Sequence, residues 1–118
     1  MSDLKESVKV GNLEFAGYGA AREDGIFYNE YSVTAEGTHE IIHNVVFQSG
    51  PVPEVGANGL TIEVLLAICE HRLSAFQETR FKSDYNAQAI GHIQKAVDAL
   101  NQRTADREER GVDGTYEE

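Results

Sequence analysis

The chain has 118 residues, with 20 Asp and Glu against 10 Lys and Arg and a formal charge of -10. That length is one domain's worth, and 41% hydrophobic residues supply a modest core. The acidic balance argues against nucleic-acid or anionic-membrane binding, which wants a basic surface. A single cysteine, Cys69, cannot close an internal disulfide, and no Cys/His grouping has zinc-ligand spacing. No apolar run approaches the length of a membrane span. The expectation is a soluble, intracellular, single-domain protein with no metal and no cofactor.

The first fifty residues predict strands. Ser7 to Val10 and Leu13 to Phe15 alternate briefly. Gly25 to Thr34, with Ile26, Phe27, Tyr28, Tyr31 and Val33, is aromatic and β-branched, and Ile41 to Phe47 has the same character. The glycine-rich run from Gly17 to Gly25 reads as a strand-linking loop. It opens no helix in the G-x-G-x-x-G manner, and no Gly-Lys-Ser/Thr follows it. The links are too short for parallel crossovers, so a small antiparallel sheet of three or four strands is expected. Gln48 to Gly59 carries both prolines of the chain and reads as a loop between two kinds of structure.

Two helices are expected next. Ile62, Leu65, Leu66, Cys69, Leu73 and Phe76 fall along one helical face, with Asn58 or Thr61 able to cap its start. Cys69 then reads as a small buried hydrophobe. Glu78 to Lys82 interrupts the pattern, and Ser83 or Asp84 caps a second helix whose Ile90, Ile93, Val97 and Leu100 make a coiled-coil-like seam. It runs to about Arg110, where Gly111 can supply a left-handed stop, giving a length of about 40 Å. The fold class is therefore α+β: a small N-terminal antiparallel sheet over about 1–50, a long antiparallel helical hairpin over about 58–110, and a tail over 111–118. A helix that outruns its own sheet implies packing on a second copy.

Two groups of residues invite a ligand. Arg103, Arg107 and Arg110 share one helical face, and an arginine fork suits phosphate oxygens. Asp106, Glu108 and Glu109 are close enough to pair with them, so an ordinary solvated face is the competing reading. Phe76 and Asn86 flank the hairpin turn, where a ring can stack on a nucleobase and an amide can read its edge. For either residue alone the plainer reading, a core ring for Phe76 and a cap-region amide for Asn86, is the better one. Within one hairpin the two groups lie roughly 25 Å apart by helix rise. An antiparallel second hairpin would bring them together at a dimer interface. Arg22 can point at a ligand phosphate, and the tail Val112 to Tyr116 can fold back over the arginines. His39, His43, His71 and His92 form no ligand set, and no nucleophile–base grouping stands out.

Several long phrases resemble a known family. Gln48-Ser-Gly-Pro-Val-Pro-Glu54, Asn58 to Ile68, His71 to Gln77, Asn86 to Ile93 and Arg103 to Thr115 resemble the helical-hairpin domain of phage anti-defence sponges. That hairpin is shared by the anti-CBASS protein 2 and Thoeris anti-defence protein 1 families. Val10 to Gly25 and the sheet after it resemble the Thoeris group, while the anti-CBASS proteins tend to be shorter and mostly helical. The resemblance implies a non-enzymatic protein of the host bacterial cytoplasm, phage-encoded. It would bind a glyco-cyclic ADP-ribose signal made by TIR-domain sensors without cleaving it. It also implies that Phe76 and Asn86 hold the adenine side, that Arg103 and Arg107 contact phosphate, and that Arg22 reaches the pocket from the sheet. Dimers, and hexamers as trimers of dimers, are implied, as is binding of cyclic di- or trinucleotides at separate sites. Two other classes remain open: an enzyme degrading such a signal, and an acidic protein occupying a host nucleic-acid site.

Overall fold

A computed structural model of the chain describes residues 3–23 and 25–111, with side chains throughout except at 3–6, 20–22 and 26. Contacts divide it into two units, Met1–Ser49 with Ala57–Leu60 and Gly50–Gly56 with Thr61–Glu118.

The first unit is a four-stranded antiparallel sheet of β1 (Asp3–Val10), β2 (Leu13–Arg22), β3 (Gly25–Ala35) and β4 (Ile41–Val46), in the order β1-β2-β3-β4. This is the expected antiparallel sheet, with each strand beside its sequence neighbour. Val10 pairs with Leu13 across a two-residue turn, and Arg22 pairs with Gly25.

The expected loop over Gly17 to Gly25 is instead mostly strand. β2 runs through Gly17, Gly19 and Arg22 with a register irregularity at Tyr18/Gly19. Crowding explains why glycine stands there. A Cβ at Gly17 would lie 3.0 Å from the Tyr31 ring, and one at Gly19 would run into the Phe27 carbonyl. The missing side chain at Gly17 leaves room for an edge-to-face series, Phe15–Tyr31 at 5.7 Å and Tyr31–Phe47 at 5.8 Å between ring centroids. On the other face the cross-strand pair Ala16 and Ser32 is buried, with the Ser32 hydroxyl donating to the Tyr18 oxygen at 3.4 Å.

After β4 the chain leaves the sheet and returns to it. Leu60 forms a parallel bridge with Phe47: Leu60 N–H donates to Val46 O and Gln48 N–H to Leu60 O, both at 2.8 Å. Asn58 completes the latch. Its side chain accepts from Ser49 N–H at 2.9 Å and donates to Ser49 O at 2.8 Å. Its own N–H donates to Gln48 Oε1 at 2.9 Å.

The second unit begins with a single turn, α1 (Val52–Val55), inside the stretch expected to be all loop. Proline is compatible with a first turn, because the amide it lacks has no intrahelical partner there. Then come α2 (Ile62–Phe76) and α3 (Asp84–Glu109), the expected hairpin. Thr61, not Asn58, caps α2 by accepting Val64 N–H at 3.2 Å, and Ser83 caps α3 by accepting Asn86 N–H at 3.0 Å. Gly111 follows α3 with φ +73°, the expected left-handed stop. Neither α2 nor α3 buries a residue fully within the single chain. Ile62 and Ile68 are 47% and 54% exposed. Cys69 is exposed as well, which corrects the expectation of a buried thiol: its face of α2 is only partly covered by one neighbouring helix.

Candidate ligand site on the helical hairpin

The turn between α2 and α3 gathers an aromatic and amide cluster. Phe76 is the last residue of α2 and is half-buried. The ring of Phe81 meets it edge-on, with centroids 6.4 Å apart, and the Arg72 guanidinium lies 5.1 Å over its ring. Such contacts hold a ring in place at about 0.5–1.5 kcal/mol each. Asn86, in the first turn of α3, donates from Nδ2 to the Phe81 carbonyl at 3.2 Å. Phe81 therefore ties the two expected base-side residues together, by its ring to Phe76 and by its backbone to Asn86.

Gln77 closes the turn beneath them. Its Oε1 accepts Ser83 N–H and its Nε2 donates to Ser83 O, both at 3.0 Å. Thr79 braces the same loop, donating from its hydroxyl to Phe76 O at 2.7 Å and accepting Phe81 N–H at 3.1 Å.

The arginines sit at the opposite end of α3. Arg103 lies about 25 Å from Asn86 by helix rise. Arg103 and Arg107 are half-buried, while Arg110 is exposed and donates to Asp106 at 3.0 Å. The solvated-face reading thus describes Arg110. Arg103 differs: its Nε is buried with no hydrogen-bond partner, and it makes no ion pair among the described residues. The residue is only half-buried, so its other guanidinium nitrogens can take an anion brought in from outside the chain.

Phe76 and Asn86 are brought together, Arg103 and Arg107 are brought together, and the two pairs are kept apart. Arg22 ends β2 opposite Gly25, in the sheet unit; its side chain lies outside the described residues, as does the tail from Val112. Arg72, Gln77 and Phe81 escaped the sequence reading. Arg72 had a signal, its i,i+4 spacing from an aromatic. Phe81 acts partly through a carbonyl, which no side-chain pattern encodes. A polar concavity of about 230 Å³ on the sheet, lined by residues including Ser7, Glu14, Tyr18, Ser32, Thr34 and His39, involves none of the five expected ligand residues. Among the described residues no three His, Cys, Asp or Glu side chains are grouped to hold a metal, and no helix is long and apolar enough to cross a membrane.

The family described as Acb2/Tad1, hairpin domain, matches residues 39–105. The chain belongs to that family. The Acb2/Tad1 match takes in Phe76, Asn86 and Arg103 and stops short of Arg107. A relative from Bacillus phage SBSphiJ7, named Thoeris anti-defense 1, is 45% identical over 89 residues. The alignment covers 75% of this chain and 63% of that relative.

Proposed function

We propose that this protein is an anti-defence sponge. It binds a glyco-cyclic ADP-ribose signal between two antiparallel copies of the hairpin and holds it without cleaving it. The observation that carries the reading is the separation of two complementary half-sites on one helix pair. An aromatic ring and an amide lie at one end of α3, and a buried, unpartnered Arg103 Nε lies about 25 Å away. Neither half recognises a whole nucleotide alone; an antiparallel neighbour supplies the missing half to each. The exposed apolar residues of α2 support such a neighbour, and the name of the phage relative supports the anti-defence role.

In this arrangement adenine stacks on Phe76 and meets Asn86, Arg103 and Arg107 of the other copy grip the phosphates, and Arg22 is a further ligand residue. The protein acts in the infected cell's cytoplasm as a dimer or a trimer of dimers. Cyclic di- and trinucleotides occupy further sites between copies. The test is release. Protein is mixed with the signal, free signal is measured, the mixture is heat-denatured, and signal is measured again. Disappearance followed by full return of intact signal is the expected result. Return of a cleaved product would make the protein an enzyme, and signal that never disappears would leave it a protein-binding module.

A further inference from the structure

The hydrogen bond from Asn86 to Phe81 settles which way the amide faces. A carbonyl oxygen only accepts, so the Asn86 atom 3.2 Å from Phe81 O must be the NH2 group. Turning the amide over would set two oxygens against each other. Asn86 Oδ1 accepts no hydrogen bond among the described residues, while its NH2 group is committed to Phe81 O. The amide therefore offers an incoming base its acceptor, Oδ1, with the NH2 group held toward Phe81.

We infer that this locked amide makes the hairpin tip selective for an adenine-type edge over a hypoxanthine- or guanine-type edge, and that Gln77 is the positioning residue that maintains the lock. Adenine presents an N6 donor that suits Oδ1; a 6-keto purine presents O6 in its place and leaves Oδ1 facing oxygen. Turning Asn86 to suit the keto base breaks its bond to Phe81. Gln77 enters because Phe81 lies inside the loop that the Gln77–Ser83 clasp closes, and because Ser83 Oγ accepts the Asn86 N–H at 3.0 Å. The clasp thus fixes both the carbonyl that orients the amide and the backbone that carries it.

The inference rests on the hairpin tip being the base site, and the experiment separates the two. Calorimetry on the full chain compares glyco-cyclic ADP-ribose with its hypoxanthine analogue. The parent binds the adenine form about tenfold or more tighter, the usual size of such discrimination. Gln77→Ala weakens the adenine form and narrows that ratio, and Gln77→Glu, which keeps the bond from Ser83 N–H and loses the one to Ser83 O, falls between. In an Asn86→Ala background, Gln77→Ala has no further effect on affinity, because its influence runs through that amide. A merely structural role for Gln77 would instead add its full loss on top. Equal binding of both bases by the parent, with Phe76→Ala still weakening each, overturns the lock and leaves the site standing. Unchanged affinity in Phe76→Ala overturns the site and the lock together.

Discussion

Truncating Phe76 to alanine sets two roles against each other. If the ring is chiefly structural, its loss costs stability; if it is a base platform, its loss costs affinity. The structure bounds the first cost. Phe76 is half-buried, and its described ring contacts are one edge-on aromatic and one guanidinium. These contribute about 1–2.5 kcal/mol in addition to the apolar area the ring buries, and half burial keeps the total below the roughly 3–5 kcal/mol of a fully buried phenylalanine. For a domain of this size the ring contacts correspond to a fall of about 3–12 °C in melting temperature. Loss of base stacking costs about 1–3 kcal/mol of binding, or roughly 5- to 150-fold in Kd. Calorimetry with the cyclic signal and a thermal melt without it, at one fixed protein concentration, measure both quantities on the same sample. The expected result is a modest drop in melting temperature with a large loss of affinity. A melting temperature lowered by more than about 15 °C with affinity retained in the folded fraction would refute the platform.

Arg103→Ala is expected to weaken signal binding by more than tenfold while leaving helical circular dichroism intact, since a charge-assisted contact is worth about 1.5–3 kcal/mol; unchanged affinity would return Arg103 to an ordinary helix face. Sedimentation at micromolar concentration should give a dimer or a larger assembly, because α2 leaves Ile62, Val64 and Ile68 exposed in the single chain; a monomer would remove the composite pocket. Gly19→Ala should lower the urea midpoint by about 1–3 kcal/mol of stability, because its methyl meets the backbone of Phe27 and not a movable side chain; an unchanged midpoint would mean that β2 does not approach β3 so closely.

The helices were legible because their information is local. The spacing from Ile62 to Phe76, the caps Thr61 and Ser83, and Gly111 each act within a turn or two of where they stand. The second half of β2 was not, because what makes Gly17 and Gly19 strand residues is the close approach of Tyr31, Tyr28 and Phe27 from another strand. A glycine-rich run looks the same in sequence whether it is loose or crowded. The one-turn α1 was hidden by two prolines that read as breakers. At the hairpin tip, Phe76 and Asn86 are bland residues on their own, singled out only by the dimer argument and the family resemblance. The link between them is a backbone carbonyl of Phe81, and a carbonyl belongs to every residue alike.

The return of Asn58–Leu60 to the sheet has a consequence for how the chain comes apart. A protease that nicks the stretch Gly50–Gly56 cuts the covalent path between β4 and α2. The new end upstream of Thr61 still carries Leu60 in its bridge and Asn58 in its latch, five hydrogen bonds to Val46, Gln48 and Ser49. The two fragments should therefore migrate as one species on a native gel and separate only in denaturant. Tension applied from the helical side would likewise load those five bonds before it straightened the proline loop, so the latch serves as a mechanical clamp on the exit from the sheet.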